Sequence, residues 1–225
     1  MHKIELVVFD MAGTVVNEDN VVYKTLQKAI NKTGFGLSLD FVLEYGAGKE
    51  KHQAIKDILA QVDADSKLDS EPIFEDFKRM LDIAYDTLKV TSFEGVVPLL
   101  EHLRSKKIKI ALNTGYSKPI ATRLLQKMNW VKGQQYDTLV TADDVILGRP
   151  HPDMIFEAME ALNVFDAENV LKAGDSIIDI EEGKNAHCGI TVGVTTGAHT
   201  RQQLESAKPT YVVDSLFELT PYLKP

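Results

Sequence analysis

The chain has 225 residues, 44% of them hydrophobic and 26% charged, with a formal net charge of −8 and a single cysteine. That balance is ordinary for a globular protein of one large domain or a core with an insertion. The acidic charge, with no extended basic cluster to offset it, argues against nucleic acid as a partner. The lone cysteine excludes an internal disulfide, and no apolar run is long enough to span a bilayer. A soluble, cytoplasmic protein with no membrane partner is therefore expected.

In chain order, Leu6, Val7, Val8 and Phe9 form an unbroken apolar run, the signature of a strand buried on both faces of a parallel sheet. The run stops at Asp10, and Gly13 allows a tight turn before Thr14. Val22, Leu26, Ala29 and Ile30 then recur at helical spacing until Gly34. Asp40 to Glu44 opens a second helix, interrupted by Gly46-Ala47-Gly48 and continued by Ala54, Ile55, Ile58, Leu59 and Val62. A polar break from 63 to 71 precedes Pro72, a residue suited to a helix start. Ile73, Phe77, Leu81, Ala84 and Leu88 mark one face of a long helix beyond it. No strand pattern occurs between about 17 and 90, so this stretch is expected to be all-helical. The face of Val22, Leu26 and Ile30 suits either internal packing or a homodimer.

From Phe93 onward strands and helices alternate. Helices are expected at 97–103, 119–128, 152–162 and 177–187, with one more at the C-terminus. Strands are expected at 108–112, 138–141, 170–173, 190–194 and 211–213. Repeated units of this length predict an α/β fold, a doubly wound, Rossmann-like parallel sheet. Residues 1–16 and 91–225 would form that core, with 17–90 as an inserted helical cap.

Polar residues follow the strand ends. Asp10 follows the first strand, and Asn113-Thr114-Gly115-Tyr116 follows the second long one. Arg149 lies in a later loop. Gly174-Asp175 ends the strand at 170–173, with Asp179 one helical turn beyond. In an open α/β sheet these ends meet at one edge, where ligands bind. Three carboxylates from Asp10, Asp175 and Asp179 would repel one another unless compensated. Hard oxygen donors in that number suit Mg²⁺ together with a phosphoryl group, and Arg149 adds a positive charge.

The ordered set Asp10-x-x-Gly13-Thr14, Thr114, Arg149 and Gly174-Asp175-x-x-x-Asp179 resembles the four motifs of the haloacid dehalogenase (HAD) superfamily. The insertion falls where type C1 helical caps occur. This resemblance implies a Mg²⁺-dependent hydrolase with Asp10 as nucleophile, forming an aspartyl-phosphate. It implies metal ligation by Asp10, the main-chain carbonyl of Ala12 and Asp175, with Asp179 in support. Gly13, Thr14 and Gly115 would line the phosphate site. Arg149 would orient Asp10, and either Asn113 or Thr114 would fill the second motif, with Thr114 favoured.

Ala12 departs from the usual pattern, which places a second Asp two residues after the nucleophile as general acid. Here the sequence resembles the phosphonatase family (phosphonoacetaldehyde hydrolases), which shares an Asp-aromatic-Ala-Gly-Thr motif, although Met11 stands in place of the aromatic residue. Gly46, Lys49 and His52 reproduce that family's Gly-x-x-Lys-x-x-His spacing, and Thr114-Gly115-Tyr116 resembles its second motif. The resemblance implies a small phosphonate substrate and a Schiff base on Lys49, with Gly46, His52 and Tyr116 around the substrate. The alternatives are a phosphatase acting on phosphoglycolate or a sugar phosphate, a phosphomutase lacking the second Asp, or a non-catalytic phosphate-binding regulator.

Overall fold

The structure, a computed structural model, describes residues 3–62 and 68–223. The chain divides into two compact units, one of residues 1–17 and 90–225, the other of residues 18–89.

The first unit is built on a six-stranded parallel sheet. In chain order its strands are β1 (Leu6–Asp10), β4 (Lys109–Thr114), β5 (Thr138–Thr141), β6 (Val170–Gly174), β7 (Ile190–Val194) and β8 (Tyr211–Val213), arranged β5-β4-β1-β6-β7-β8. Two-residue strands β2 (Val16–Asn17) and β3 (Thr91–Ser92) pair antiparallel. The α/β architecture expected from the alternating pattern is the one that forms. β1 is central because all five of its residues are buried, as its apolar run requires. Val8 lies opposite Ala111 on one side and Lys172 on the other, and Asp10 lies opposite Asn113. This register brings the carboxyl ends of β4, β1 and β6 to the same level, at the point where strand order reverses.

Helices α5 (Val96–Ser105), α6 (Lys118–Lys127), α7 (Asp153–Ala161), α8 (Ile177–Asn185) and α9 (Arg201–Ser206) complete the unit. Leu6, Val8, Ala111 and Val170 from the sheet pack with Met154, Ile155 and Ala158 of α7 and with Ala186. The alternating pattern predicts no helix at α9, although its start is written in the chain. Thr200 accepts from the Gln203 N–H while the Gln203 side chain returns to Thr200, a capping box. The C-terminal helix is a 3₁₀ segment, Leu216–Tyr222, with Pro221 inside it.

The second unit holds α1 (Val21–Asn31), α2 (Leu39–Gly46), α3 (Lys51–Val62) and α4 (Ser70–Thr87). Of the expected polar break at 63–71, residues 63–67 lie outside the described residues. α4 begins at Ser70, two residues before Pro72, because the Asp69 carboxylate accepts the Glu71 N–H at 3.0 Å and caps it. Val22, Leu26 and Ile30 are fully buried, and α1 packs against α4. That face is spent inside the chain and does not supply a dimer surface.

Glu18 is a buried acid, its carboxylate accepting the Val22 N–H at 3.3 Å. Burial pushes its pKa from the ordinary 4.5 up to about 8, against the pull of the α1 N–H groups and Lys51. The native chain thus holds a proton that the unfolded chain releases. The stability this contributes is complete below pH 4.5 and is lost as pH rises through about 8. Glu18→Gln removes that loss. Denaturant titrations should show the variant gaining on the parent steadily from pH 5 to pH 8, and a gap independent of pH would contradict the assignment.

Candidate active site

The site begins with the turn after β1. Gly13 has φ of 79°, and a Cβ there would lie 2.3 Å from Asp175 Oδ2. Only glycine allows both the left-handed backbone and this close approach. The buried Thr14 hydroxyl then sits between two acids, 3.5 Å from Asp10 Oδ2 and 3.4 Å from Asp175 Oδ1. Asp175 leaves β6 just before α8, whose first turn is closed by a capping box. Asp179 Oδ2 accepts from the Ser176 hydroxyl at 2.5 Å and from its N–H at 3.3 Å. One oxygen each of Asp10, Asp175 and Asp179 lie within 4.8 Å of one another, and all three residues are buried.

Two buried cations hold this cluster together. Arg149 donates to Asp10 Oδ1 at 2.6 Å, to the Asn113 carbonyl at 3.1 Å and to Asp179 Oδ1 at 2.7 Å. Lys172, fully buried on β6, donates to Asn113 Oδ1 at 2.7 Å and pairs with Asp179 at 3.0 Å and Glu182 at 3.1 Å. The Asn113 amide in turn donates to both oxygens of Glu182, at 2.8 and 3.0 Å.

These contacts sort the acids by role. Burial raises Asp10, and the neighbouring Arg149 only partly opposes it. Asp175 is driven well above the carboxylate range by burial, by Asp10 and by Asp179. Burial also acts on Asp179, but Arg149 and Lys172 outweigh it and hold that group below its ordinary value. Both buried cations pair with Asp179, at 2.7 and 3.0 Å, so it supports the site. Asp10 and Asp175 are the under-compensated pair. With all four ionised, the buried carboxylates of Asp10, Asp175, Asp179 and Glu182 would outnumber the cations Arg149 and Lys172 by two charges, the excess that raises Asp10 and Asp175. A divalent cation would cancel that excess, and the all-oxygen donor set suits Mg²⁺.

The Asn113 side chain is engaged by Lys172 and Glu182. Thr114 stands at the strand end, its Oγ1 accepting the Tyr116 N–H at 3.2 Å, which leaves the hydroxyl proton to donate. Gly115 follows it, and Tyr116 is buried beside it. Lys172 and Glu182 belong to no motif in the sequence. Glu182 lies three residues after Asp179 on the same helix face, a spacing that could have revealed it.

The remaining expected residues belong to the helical unit. Gly46 is buried, and a Cβ there would meet Ile58 at 3.1 Å, so it serves the packing of α2 on α3. Lys49 Nζ donates to Asp57 Oδ2 at 2.5 Å, and each side chain is about one-third exposed. His52 stacks on Phe74, centroids 4.8 Å apart, and its Nε2 lies 2.9 Å from the Ser70 hydroxyl. Those contacts give His52 a packing role within this unit.

A family model described as haloacid dehalogenase-like hydrolase matches residues 4–187. Among curated relatives, the phosphonoacetaldehyde hydrolase of Latilactobacillus sakei subsp. sakei (strain 23K) is 31% identical over 206 residues, covering 86% of this chain and 76% of that protein. Among solved structures, a hydrolase from Pseudomonas syringae superposes with a TM-score of 0.83 at 21% identity, over 97% of each chain. A phosphonoacetaldehyde hydrolase-like protein from Oleispira antarctica gives 0.82 at 21% identity, over 98% of this chain and 91% of that one. At such identity the structural likeness concerns the fold alone. Among the described residues, no helix is long and apolar enough to cross a membrane.

Proposed function

The chain belongs to the haloacid dehalogenase-like hydrolases, and within them we propose a phosphonatase that cleaves the C–P bond of phosphonoacetaldehyde. The observation that carries this reading is Ala12. A departing alkoxide needs a proton, and general acid catalysis is worth roughly 10²–10⁴-fold, yet the position that normally supplies it holds a methyl group. A leaving group that departs as an enamine needs no such acid.

In this mechanism the Lys49 amine adds to the aldehyde carbonyl and expels water, giving a protonated imine. Asp10 Oδ2, the oxygen that Arg149 does not occupy, attacks phosphorus. The P–C bond breaks, and its electron pair flows into the iminium to form a neutral enamine. Water then hydrolyses the aspartyl-phosphate to phosphate. The enamine takes a proton at carbon, and a second water releases acetaldehyde and frees Lys49. Arg149 fixes Asp10 Oδ1 and offsets its charge, and the Thr114 hydroxyl donates to a phosphoryl oxygen. Mg²⁺, when bound by Asp10, Asp175 and the Ala12 carbonyl with Asp179 in support, would neutralise charge between carboxylate and phosphoryl group.

Imine formation requires a free amine, so Asp57 must release Lys49 first. The 2.5 Å ion pair equally favours a second reading, in which Lys49 stays an ammonium that grips the anionic group of a phosphate ester such as phosphoglycolate or a sugar phosphate. Borohydride separates the two. With phosphonoacetaldehyde present it should add a reduced two-carbon adduct to the peptide bearing Lys49 and inactivate the enzyme. Unimpaired turnover without an adduct would remove the Schiff base.

A further inference from the structure

The segment Thr196–His199 grips the acidic site from outside the motifs that define it. The Thr196 hydroxyl donates to the Gly13 carbonyl at 2.6 Å. The Ala198 N–H donates to Asp175 Oδ2 at 2.6 Å, and the His199 N–H to the Asp175 carbonyl at 3.2 Å. Gly197 is the residue that lets this backbone come so near, since a Cβ on it would lie 2.0 Å from Asp175 Oδ2. Its φ lies outside the left-handed region, so the requirement for glycine here is close approach.

His199 joins these contacts. Its ring is buried, and Nδ1 lies 3.0 Å from the Ile177 N–H, the first amide of α8. A main-chain N–H can only donate, so Nδ1 carries the lone pair and the proton resides on Nε2. The first N–H groups of a helix have no partner within it. Here the ring supplies one, on the same turn whose capping box orients Asp179. The imidazole and its own main-chain N–H therefore hold both ends of Asp175-Ser176-Ile177.

We infer that His199 is a positioning residue for the metal-ligating carboxylate of Asp175, acting through the Ile177 N–H and the Asp175 main chain. Groups that orient a metal ligand from behind typically change metal affinity by about 10–100-fold when removed, and His199 should fall in that range.

The test is calorimetric titration of the substrate-free protein with Mg²⁺ alone, beside kcat and KM for whichever substrate the enzyme turns over. His199→Ala should weaken Mg²⁺ binding at least ~10-fold and lower kcat at subsaturating Mg²⁺, with KM little changed. His199→Asn places an oxygen near the position of Nδ1, where it can accept the Ile177 N–H, and should restore affinity to within a few-fold of the parent. His199→Gln carries its oxygen nearer Nε2 and should not. The comparison of Asn with Gln stands even if the alanine variant fails to fold. Equal affinity in the Asn and Gln variants, or an alanine variant that binds like the parent, would overturn the inference. A parent protein that shows no Mg²⁺ binding would overturn it too, together with the ligand role of Asp175. Because no substrate enters the titration, the result is independent of the phosphonate reading.

Discussion

Asp10→Asn should abolish turnover while leaving the metal-free protein more stable than its parent. Asparagine keeps the size of the side chain and can retain the Arg149 contact through its carbonyl oxygen, but it cannot attack phosphorus. Loss of the nucleophile costs a serine protease roughly 10⁶-fold in kcat, and a loss of at least ~10⁴-fold is expected here. The stability effect runs the other way. Asp10 is buried among Asp175 and Asp179, and its carboxyl is already pushed upward by burial. Removing its charge cuts the excess of negative charge in the cluster from two to one. The melting temperature without metal should rise, and the further rise on adding Mg²⁺ should shrink. Thermal scans with EDTA and with Mg²⁺, alongside phosphate release, read both effects on one sample. Retention of a tenth of the parent activity would exclude Asp10 as nucleophile. A lower metal-free melting temperature would contradict the charge count.

Lys172→Met should be among the most damaging single substitutions in the core unit. The side chain is fully buried, with Asp179 at 3.0 Å and Glu182 at 3.1 Å. Burial alone would lower its pKa, yet Asp179 and Glu182 raise it, so it is charged where it sits. Methionine matches its bulk but leaves two buried carboxylates short of a partner, a change that costs about 3–5 kcal/mol. Adding Glu182→Gln removes one of those charges and keeps an acceptor for Asn113. The double variant should therefore recover part of the loss, with a coupling of about 1–3 kcal/mol. Denaturant midpoints of the four proteins measure this directly. A single variant within ~1 kcal/mol of the parent would mean that Lys172 merely fills space.

Legibility in the sequence depended on whether a signal was local. The run from Leu6 to Phe9 announced a central strand because parallel strands must be apolar on both faces. Asp10, Thr114, Arg149, Asp175 and Asp179 each stood beside a strand end or loop, and the sheet brings them to one edge. The cation network was not legible. Lys172 is 59 residues from Asn113, and Glu182 is 69 from it. Inside a strand pattern Lys172 carries no mark of what it faces, and for Glu182 the only hint is its three-residue spacing from Asp179. Asn113 and Thr114 are adjacent in sequence but diverge in space. Successive strand residues point to opposite faces, and Asn113 turns toward Lys172 and Glu182. The paired strands β2 and β3 have two residues each, too few for any period to register. Lys49 and His52 stand out in the sequence by spacing, which says nothing of partners. Asp57 holds the first, and Phe74 and Ser70 occupy the second.

In the proposed reaction a carboxylate nucleophile, two buried cations and a divalent ion together break a bond whose leaving group needs no proton from residue 12. Phosphate release tests it most directly, measured with phosphonoacetaldehyde, phosphoglycolate and a sugar phosphate, each with Mg²⁺ and with EDTA. Only phosphonoacetaldehyde should be turned over, and only with Mg²⁺ present. Brisk hydrolysis of either phosphate ester with the phosphonate untouched, or turnover undiminished in EDTA, would contradict it.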